Sequence, residues 1–403
     1  MKAITTTLVI LYMAIYSTCE AHSDKEYLSY VLEKMSKIES VTYHCITQTW
    51  EPGDRNPLQI INKEIYEHIN LQDTAIGSSY VTAADKNFKQ PYSIYDGKEH
   101  TSINKEKKEI LIDDFTQKKP LPFRMVMPCF FYRTKSIIDY ALTTTDSITI
   151  HLNDLGKEYM MEVIIHMPNQ VEFFGKARYI PASPYIIDPT SVYKIWISKK
   201  NDLPYRLRRE MEHNISEETC SDFIFNPSDK RGIVAKDYYP ADYTKRIIGK
   251  RSKRANITII GEKAPEWTLI DMNDCPVSLC DIKSKVILLQ LTGIGCGPCK
   301  ISIPLLNELR KKYSEDDLEI LAIETWGKTK SSCENYIRNH QITYRFLSGD
   351  KETIAKLIND YQAGGAVPQF FIIGKNRTIT KLFQGYNENI TGKELEKEIR
   401  RNL

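Results

Sequence analysis

Outside its N-terminal segment the 403-residue chain has no apolar run long enough to cross a bilayer, and it carries little excess charge. Fifty-five Lys and Arg against 52 Asp and Glu leave +3, a balance that excludes a dedicated nucleic-acid or polyanion binder. Cysteine is sparse at nine, too few for a disulfide-stapled scaffold but enough for a few special thiols. Glycine and proline stand at only 18 each, which rules out collagen-like and low-complexity chains. What remains is ordinary globular composition, 41% apolar and 27% charged, which argues against a largely disordered chain. At roughly 100–200 residues per domain, two domains are the natural division.

The one apolar run, Leu8 to Tyr16, follows Lys2 and gives way to small and polar residues. It is shorter than the roughly 20 residues of a spanning helix, so it predicts an export signal over 1–21 with cleavage after Ala21. The alternative is a lipoprotein signal ending at Cys19, because Tyr16-Ser17-Thr18-Cys19 resembles a bacterial lipobox. On either reading the mature protein works outside the cytoplasm, in the periplasm, and on the second it carries a lipid anchor at Cys19.

Leu28, Val31, Leu32, Met35 and Ile38 mark one face of a helix over Lys25–Glu39. The period then changes. Val41 to Thr47 reads as a strand, and short strands separated by turn signals continue to about Pro240. Asp96-Gly97 predicts a tight hairpin, Asn104 to Lys108 a second turn, and Tyr193–Ile197 with Leu203–Arg208 a strand pair. The expectation is a β-rich antiparallel α+β domain over 25–245, a basic linker over 246–257 that includes Lys250-Arg251-Ser252-Lys253-Arg254, and a second domain over 258–403. In that second domain strands at Lys285–Leu291, Leu318–Ile323 and Gln369–Ile373 alternate with helices at Ile301–Tyr313, Cys333–Asn339 and Leu395–Arg401, the signature of an α/β fold.

Chemistry concentrates at Cys296-Gly297-Pro298-Cys299, where the apolar strand ends and a helix begins. There, backbone N–H groups and the helix dipole favour the thiolate of Cys296, the expected exposed nucleophile, which attacks a disulfide; the more buried Cys299 then resolves the mixed disulfide. A zinc site needs a second Cys/His pair, and the eight histidines are scattered. No metal and no cofactor is expected. A purely structural disulfide is the bland alternative, uncommon in a two-residue loop at a helix start. The remaining cysteines read as bystanders. Cys275 and Cys280 are about 16 Å apart if extended, too far to pair. Cys333 is expected at a helix start with mild reactivity, and Cys45, Cys129 and Cys220 as buried small hydrophobes.

With its Cys-Gly-Pro-Cys, its entry Gly261-Glu262-Lys263-Ala264-Pro265-Glu266-Trp267, Val277-Ser278-Leu279 and Val367-Pro368, the stretch from about Gly261 to Leu403 resembles the TlpA/ResA-type thiol–disulfide oxidoreductases of the thioredoxin superfamily. The resemblance implies a thioredoxin fold, catalytic Cys296 and Cys299 with Gly297 and Pro298 as spacers, and a cis-proline at Val367-Pro368 beside the nucleophile where an extended substrate can pair. Three positions depart from that pattern: Gly295 replaces a Trp before the first cysteine, Ser302 replaces a Glu, and Gln290 replaces an Asp or Asn. No acid near the thiols can be assigned by matching, and Glu324 reads as a solvated strand-end charge. Peroxiredoxin chemistry wants Thr or Ser where Gly293 stands and is disfavoured.

The first domain, from roughly Glu26 to Asp242, resembles the LolA/LppX half-barrel, a curved antiparallel sheet with a helix that in that family encloses an apolar groove for acyl chains. The combined expectation is an exported reductase of protein disulfides, recharged by a membrane-embedded thiol transporter and binding no nucleic acid. The competing expectation is a lipid- or lipoprotein-binding carrier in which the thioredoxin-like domain only docks.

Overall fold

A computed structural model describes residues 24–117, 123–181, 188–228, 232–248, 258–387 and 390–403. The export segment at 1–21 with Cys19, and residues 249–257 of the expected linker, lie outside the described residues, whereas Arg246 and Ile247 at the start of that linker are not loop but pair in the sheet of the first unit. The chain forms two compact units: Met1–Thr49 with Gln59–Ser252, and Trp50–Leu58 with Lys253–Leu403.

The first unit opens with helix α1 (residues 24–36), whose Leu28, Val31 and Met35 are fully buried, as their spacing predicts. Then follow β1 (Ser40–Trp50), β2 (Gln59–Ile69), β3 (Ser78–Ala83), β4 (Pro91–Tyr95), β5 (His100–Asn104), β6 (Glu109–Asp113), α2 (Phe130–Thr143), β7 (Ile148–Asp154) and β8 (Glu158–Ile165). The rest are β9 (Val171–Phe173), β10 (Ala177–Tyr179), β11 (Ser191–Ser198), β12 (Leu203–Met211), β13 (Asn214–Phe225) and β14 (Thr244–Ile247). Twelve of these strands form one sheet in the order β14-β6-β5-β4-β3-β2-β1-β13-β12-β11-β8-β7. Alternation sets its inner face: Val41, Tyr43 and Cys45 on β1 and Tyr193, Ile195 and Ile197 on β11 join residues of α1 and α2 in one buried cluster. The Asp96-Gly97 hairpin joins β4 to β5, and Gly97 is obligatory there: its φ is +89° and a Cβ would lie 2.7 Å from Asn70 Nδ2.

The second helix of this unit, α2, was not expected; the strand-rich reading of this stretch passes over it. Phe130, Phe131, Tyr132, Ile137 and Ile138 favour strands by type. The group that caps the helix comes from far away in sequence. Cys129 at the N-cap offers no side-chain bond, and the buried carboxylate of Glu67 on β2 instead accepts from the N–H groups of Phe131 (3.0 Å) and Tyr132 (3.1 Å) and from the Tyr43 hydroxyl. Burial pushes the Glu67 carboxyl up to about 7 against the pull of those donors. Cys45 and Cys220 are buried free thiols on the neighbouring strands β1 and β13, as expected, and burial pushes the Cys220 thiol well above its ordinary value.

The second unit contains β15 (Thr268–Asp271), β16 (Pro276–Ser278), β17 (Val286–Thr292), α3 (Gly297–Lys312), β18 (Leu318–Glu324), α4 (Lys330–Asn339), β19 (Arg345–Ser348), α5 (Lys351–Asp360), β20 (Gln369–Ile373), β21 (Ile379–Gln384) and α6 (Thr391–Asn402). Its sheet runs β16-β15-β19-β18-β17-β20-β21, with β17 parallel to β18 and antiparallel to β20. Every residue of β17 is buried because both faces are covered. Val286 and Leu288 pack with Ile303 and Leu306 of α3, Tyr336 of α4 and Leu395 of α6; Ile287, Leu289 and Leu291 pack on the other side with Ile354 and Leu357 of α5. Each such aliphatic side chain contributes about 1.5–3 kcal/mol of burial. Helices α3, α4 and α6 start earlier than the sequence predicts, and α5 was not anticipated at all. No helix among the described residues is long and apolar enough to cross a membrane.

Candidate active site

The site is built where the central strand hands over to a helix. β17 ends at Thr292, Gly295 turns the chain at φ +90°, and Cys296 becomes the N-cap of α3 with Pro298 in the first turn. Cys296 and Cys299 are joined as a disulfide. The Cys299 N–H donates to Cys296 Sγ at 3.2 Å, so one of the free donors of the helix start points at the first sulfur. Cys296 is expected from sequence to be exposed, but in this oxidised form it is only 7% exposed, against 1% for Cys299. The Val367-Pro368 bond is cis, and the Val367 carbonyl oxygen lies 3.8 Å from Cys296 Sγ. Cys296, Cys299, Val367 and Pro368 are therefore brought together, with Gly297 and Pro298 opening α3. Behind them Gln369 holds the preceding loop through Nε2 donated to the Ala366 carbonyl at 2.7 Å, a positioning contact that sequence reasoning missed.

Beneath the pair lie two uncharged side chains. Gln290 is buried on β17 and donates to Ser302 Oγ at 2.9 Å, and that hydroxyl donates to the Cys299 carbonyl at 2.7 Å. Two of the three residues that depart from the expected pattern, Gln290 and Ser302, thus satisfy one another.

Glu324 is not a solvated charge. It is buried at the end of β18, where its carboxylate accepts from the N–H groups of Trp326 and Lys328, each at 3.0 Å. Cys333 also differs from expectation: burial first, and Glu324 second, push its thiol up to about 12, which leaves it inert near neutrality. The indole of Trp326 lies against Gly293, where an added Cβ would come within 2.4 Å of the ring. Gly293→Ala should therefore displace Trp326 at a cost of about 1–3 kcal/mol. Comparing tryptophan fluorescence of that variant with Trp326→Phe tests this, and an unmoved Trp326 emission refutes it.

One carboxylate near the pair has no sequence signal. Residues Trp50–Leu58 count with this unit although they follow β1 in sequence. The loop is tied to α4: Asn339 Nδ2 donates to the Pro52 carbonyl at 2.9 Å, and Asn335 Nδ2 donates to Asp54. Leu58 packs on the helix-side core. The loop places Glu51 Oε1 3.5 Å from the position of a Cβ on Gly295, the residue before Cys296. Nothing about Trp50-Glu51-Pro52-Gly53 marks it in the sequence beyond a turn.

Residues 260–382 match the AhpC/TSA family. The match marks a thioredoxin-like domain at the C-terminus, and the chain is similar there to curated proteins named thiol-disulfide oxidoreductase. It is 29% identical over 140 residues to the thiol-disulfide oxidoreductase ResA of Bacillus cereus (strain ZK / E33L), a match covering 33% of this chain and 79% of that relative. The ResA of Geobacillus kaustophilus is 28% identical over 144 residues, covering 36% of this chain and 76% of its own. Among solved structures, the thioredoxin domain of a thiol-disulfide oxidoreductase from Bacteroides vulgatus is 19% identical with a TM-score of 0.31, over 35% of this chain and 97% of that one.

Proposed function

We propose that the protein is an exported protein-disulfide reductase, with Cys296 the attacking thiol and Cys299 the resolving one. The observation that carries this reading is the Cys296–Cys299 pair at the start of α3 with the Val367 carbonyl beside it. In the reduced state the N–H of Cys299 and the helix start favour charge on Cys296 Sγ. The Cys296 thiolate attacks one sulfur of a client disulfide, and the client releases one thiolate. Cys299, as thiolate, then attacks Cys296 Sγ, the protein disulfide forms, and the second client thiolate leaves. The Val367 carbonyl edge is suited to pairing with an extended client segment.

Direction follows from compartment. A Gly-Pro dithiol poised near thioredoxin would rest as the inert disulfide in an oxidising periplasm, so a membrane thiol transporter is the expected electron donor. Clients are extracytoplasmic proteins with disulfides to be reduced. A lipid anchor at Cys19 would hold the enzyme beside that donor. The strand-rich first unit is assigned to the LolA-like half-barrel class, positioning the enzyme or its clients.

The deciding measurement is the redox potential of Cys296/Cys299 in glutathione buffers. A value near the about −270 mV of thioredoxin supports a reductase, whereas one near the about −120 mV of DsbA makes the protein an oxidant.

A further inference from the structure

We propose that Glu51, held in place by the Trp50–Leu58 loop, is the carboxylate that exchanges protons with the Cys296–Cys299 pair. This rests on the reading of that pair as an exchanging dithiol.

Three observations converge on this residue. Its Oε1 is buried and has no hydrogen-bond partner among the described residues, which is costly for a carboxylate unless it serves another purpose. That same atom faces Gly295, 3.5 Å from where a Cβ would stand on the residue before Cys296. The loop geometry is fixed rather than loose: the Glu51 N–H donates to Asp54 Oδ2 at 3.3 Å, the Asp54 N–H donates back to the Glu51 carbonyl at 3.0 Å, and Asn339 anchors Pro52. Gln290 and Ser302, the residues directly under Cys299, are occupied with each other and do not ionise.

The charged and titratable groups facing Glu51 are Lys300 on α3, Lys328 in the turn after β18, Tyr336 on α4 and Asp54 on its own loop. Burial pushes the Glu51 carboxyl up to about 7; Lys300 and Lys328 pull it down and Asp54 pushes it up. It therefore changes charge near neutrality, where a proton carrier is most useful.

The proton balance calls for such a group. Two electrons pass from the dithiol to the client disulfide, one S–S bond breaks and another forms, and no third reactant is consumed. Cys296 and Cys299 must each lose a proton to attack, and each client thiolate must gain one. Ionised Glu51 takes a proton from the dithiol and returns it to the leaving client sulfur.

The test uses the full chain and the isosteric variant Glu51→Gln. In the reduced wild type, alkylation of Cys296 by iodoacetamide should show two inflections with pH, one near 7 from Glu51. In Glu51→Gln the profile should collapse to one step at lower pH, because the neighbouring negative charge is gone, while client reduction at pH 7 falls about 100-fold. Glu51→Asp should restore most of that loss. Identical alkylation profiles and rates in wild type and Glu51→Gln would overturn the proposal. Should Glu51→Gln melt early, Lys328→Gln supplies a second arm. Removing that cation should move the inflection near 7 upward, and an unmoved inflection counts against Glu51. A wild type that reduces no client would defeat the functional reading, yet the alkylation profile needs no client and still decides the role of Glu51.

Discussion

Replacing Cys296 by serine should abolish disulfide reduction, with a loss of roughly a thousandfold or more, the scale seen when a covalent nucleophile is removed. The fold should survive the change. Cys296 is the N-cap of α3, and serine is among the best residues there because its Oγ can accept the Cys299 N–H that Sγ accepts now. The melting temperature of Cys296→Ser should thus match that of the reduced wild type. Cys299→Ser should behave differently: the first attack proceeds, the second cannot, and client-linked adducts accumulate that dissolve in excess reductant. Insulin reduction, thermal melts and non-reducing gels read all three outcomes. Full activity in a folded Cys296→Ser protein would end the dithiol mechanism.

The first unit should be more stable at pH 5 than at pH 8, and Glu67 should be the main cause. Its carboxyl, raised to about 7 in the fold from an ordinary 4.5, binds a proton more tightly folded than unfolded between those values. The folded state therefore holds more protons in that window, so stability falls as pH rises through it and levels off above the folded value. For a fully buried group the total is on the order of 3 kcal/mol. Glu67→Gln should flatten the dependence while leaving an amide oxygen to accept from Phe131 or Tyr132. Glu67→Ala should cost about 3 kcal/mol or more at acid pH as well, because the α2 N–H groups and the Tyr43 hydroxyl lose their acceptor. Urea midpoints for the first unit across pH 4.5–8 check the slope, and an equal slope in Glu67→Gln would exclude this residue as its source.

Where local pattern and tertiary environment agree, the sequence was legible. β17 is a continuous run of apolar residues bounded by turn signals, and it proves to be a central strand buried on both faces. The Asp96-Gly97 hairpin and the β11–β12 pair follow from turn chemistry alone. The placement of Cys296 and Cys299 between a strand and a helix was readable because the apolar run before them and the helical period after them are both local. What escaped depends on partners distant along the chain. α2 is written in strand-favouring residues and is capped by Glu67 from β2. Cys333 looked reactive from its helix position, but depth and Glu324 raise its thiol. Glu324 looked solvated because a strand end usually is, and two backbone donors hold it inside. Glu51 is the extreme case, since no periodicity, motif or spacing connects it with residues that follow it by more than two hundred positions.

That separation bears on the order in which the chain can assemble. The bonds from Asn335 to Asp54 and from Asn339 to the Pro52 carbonyl span 281 and 287 residues, so they close some of the longest loops in the molecule. Loop-closure entropy grows slowly with length, and such contacts are affordable in the finished structure, but they form late. A chain synthesised from its N-terminus delivers Trp50–Leu58 long before α4 exists. The early segment must wait, uncommitted, while β1 and β2 zip on either side of it. Maturation of the enzyme would then have two stages: a thioredoxin-like body that can already close its disulfide, and a later, slower capture of the loop that completes it.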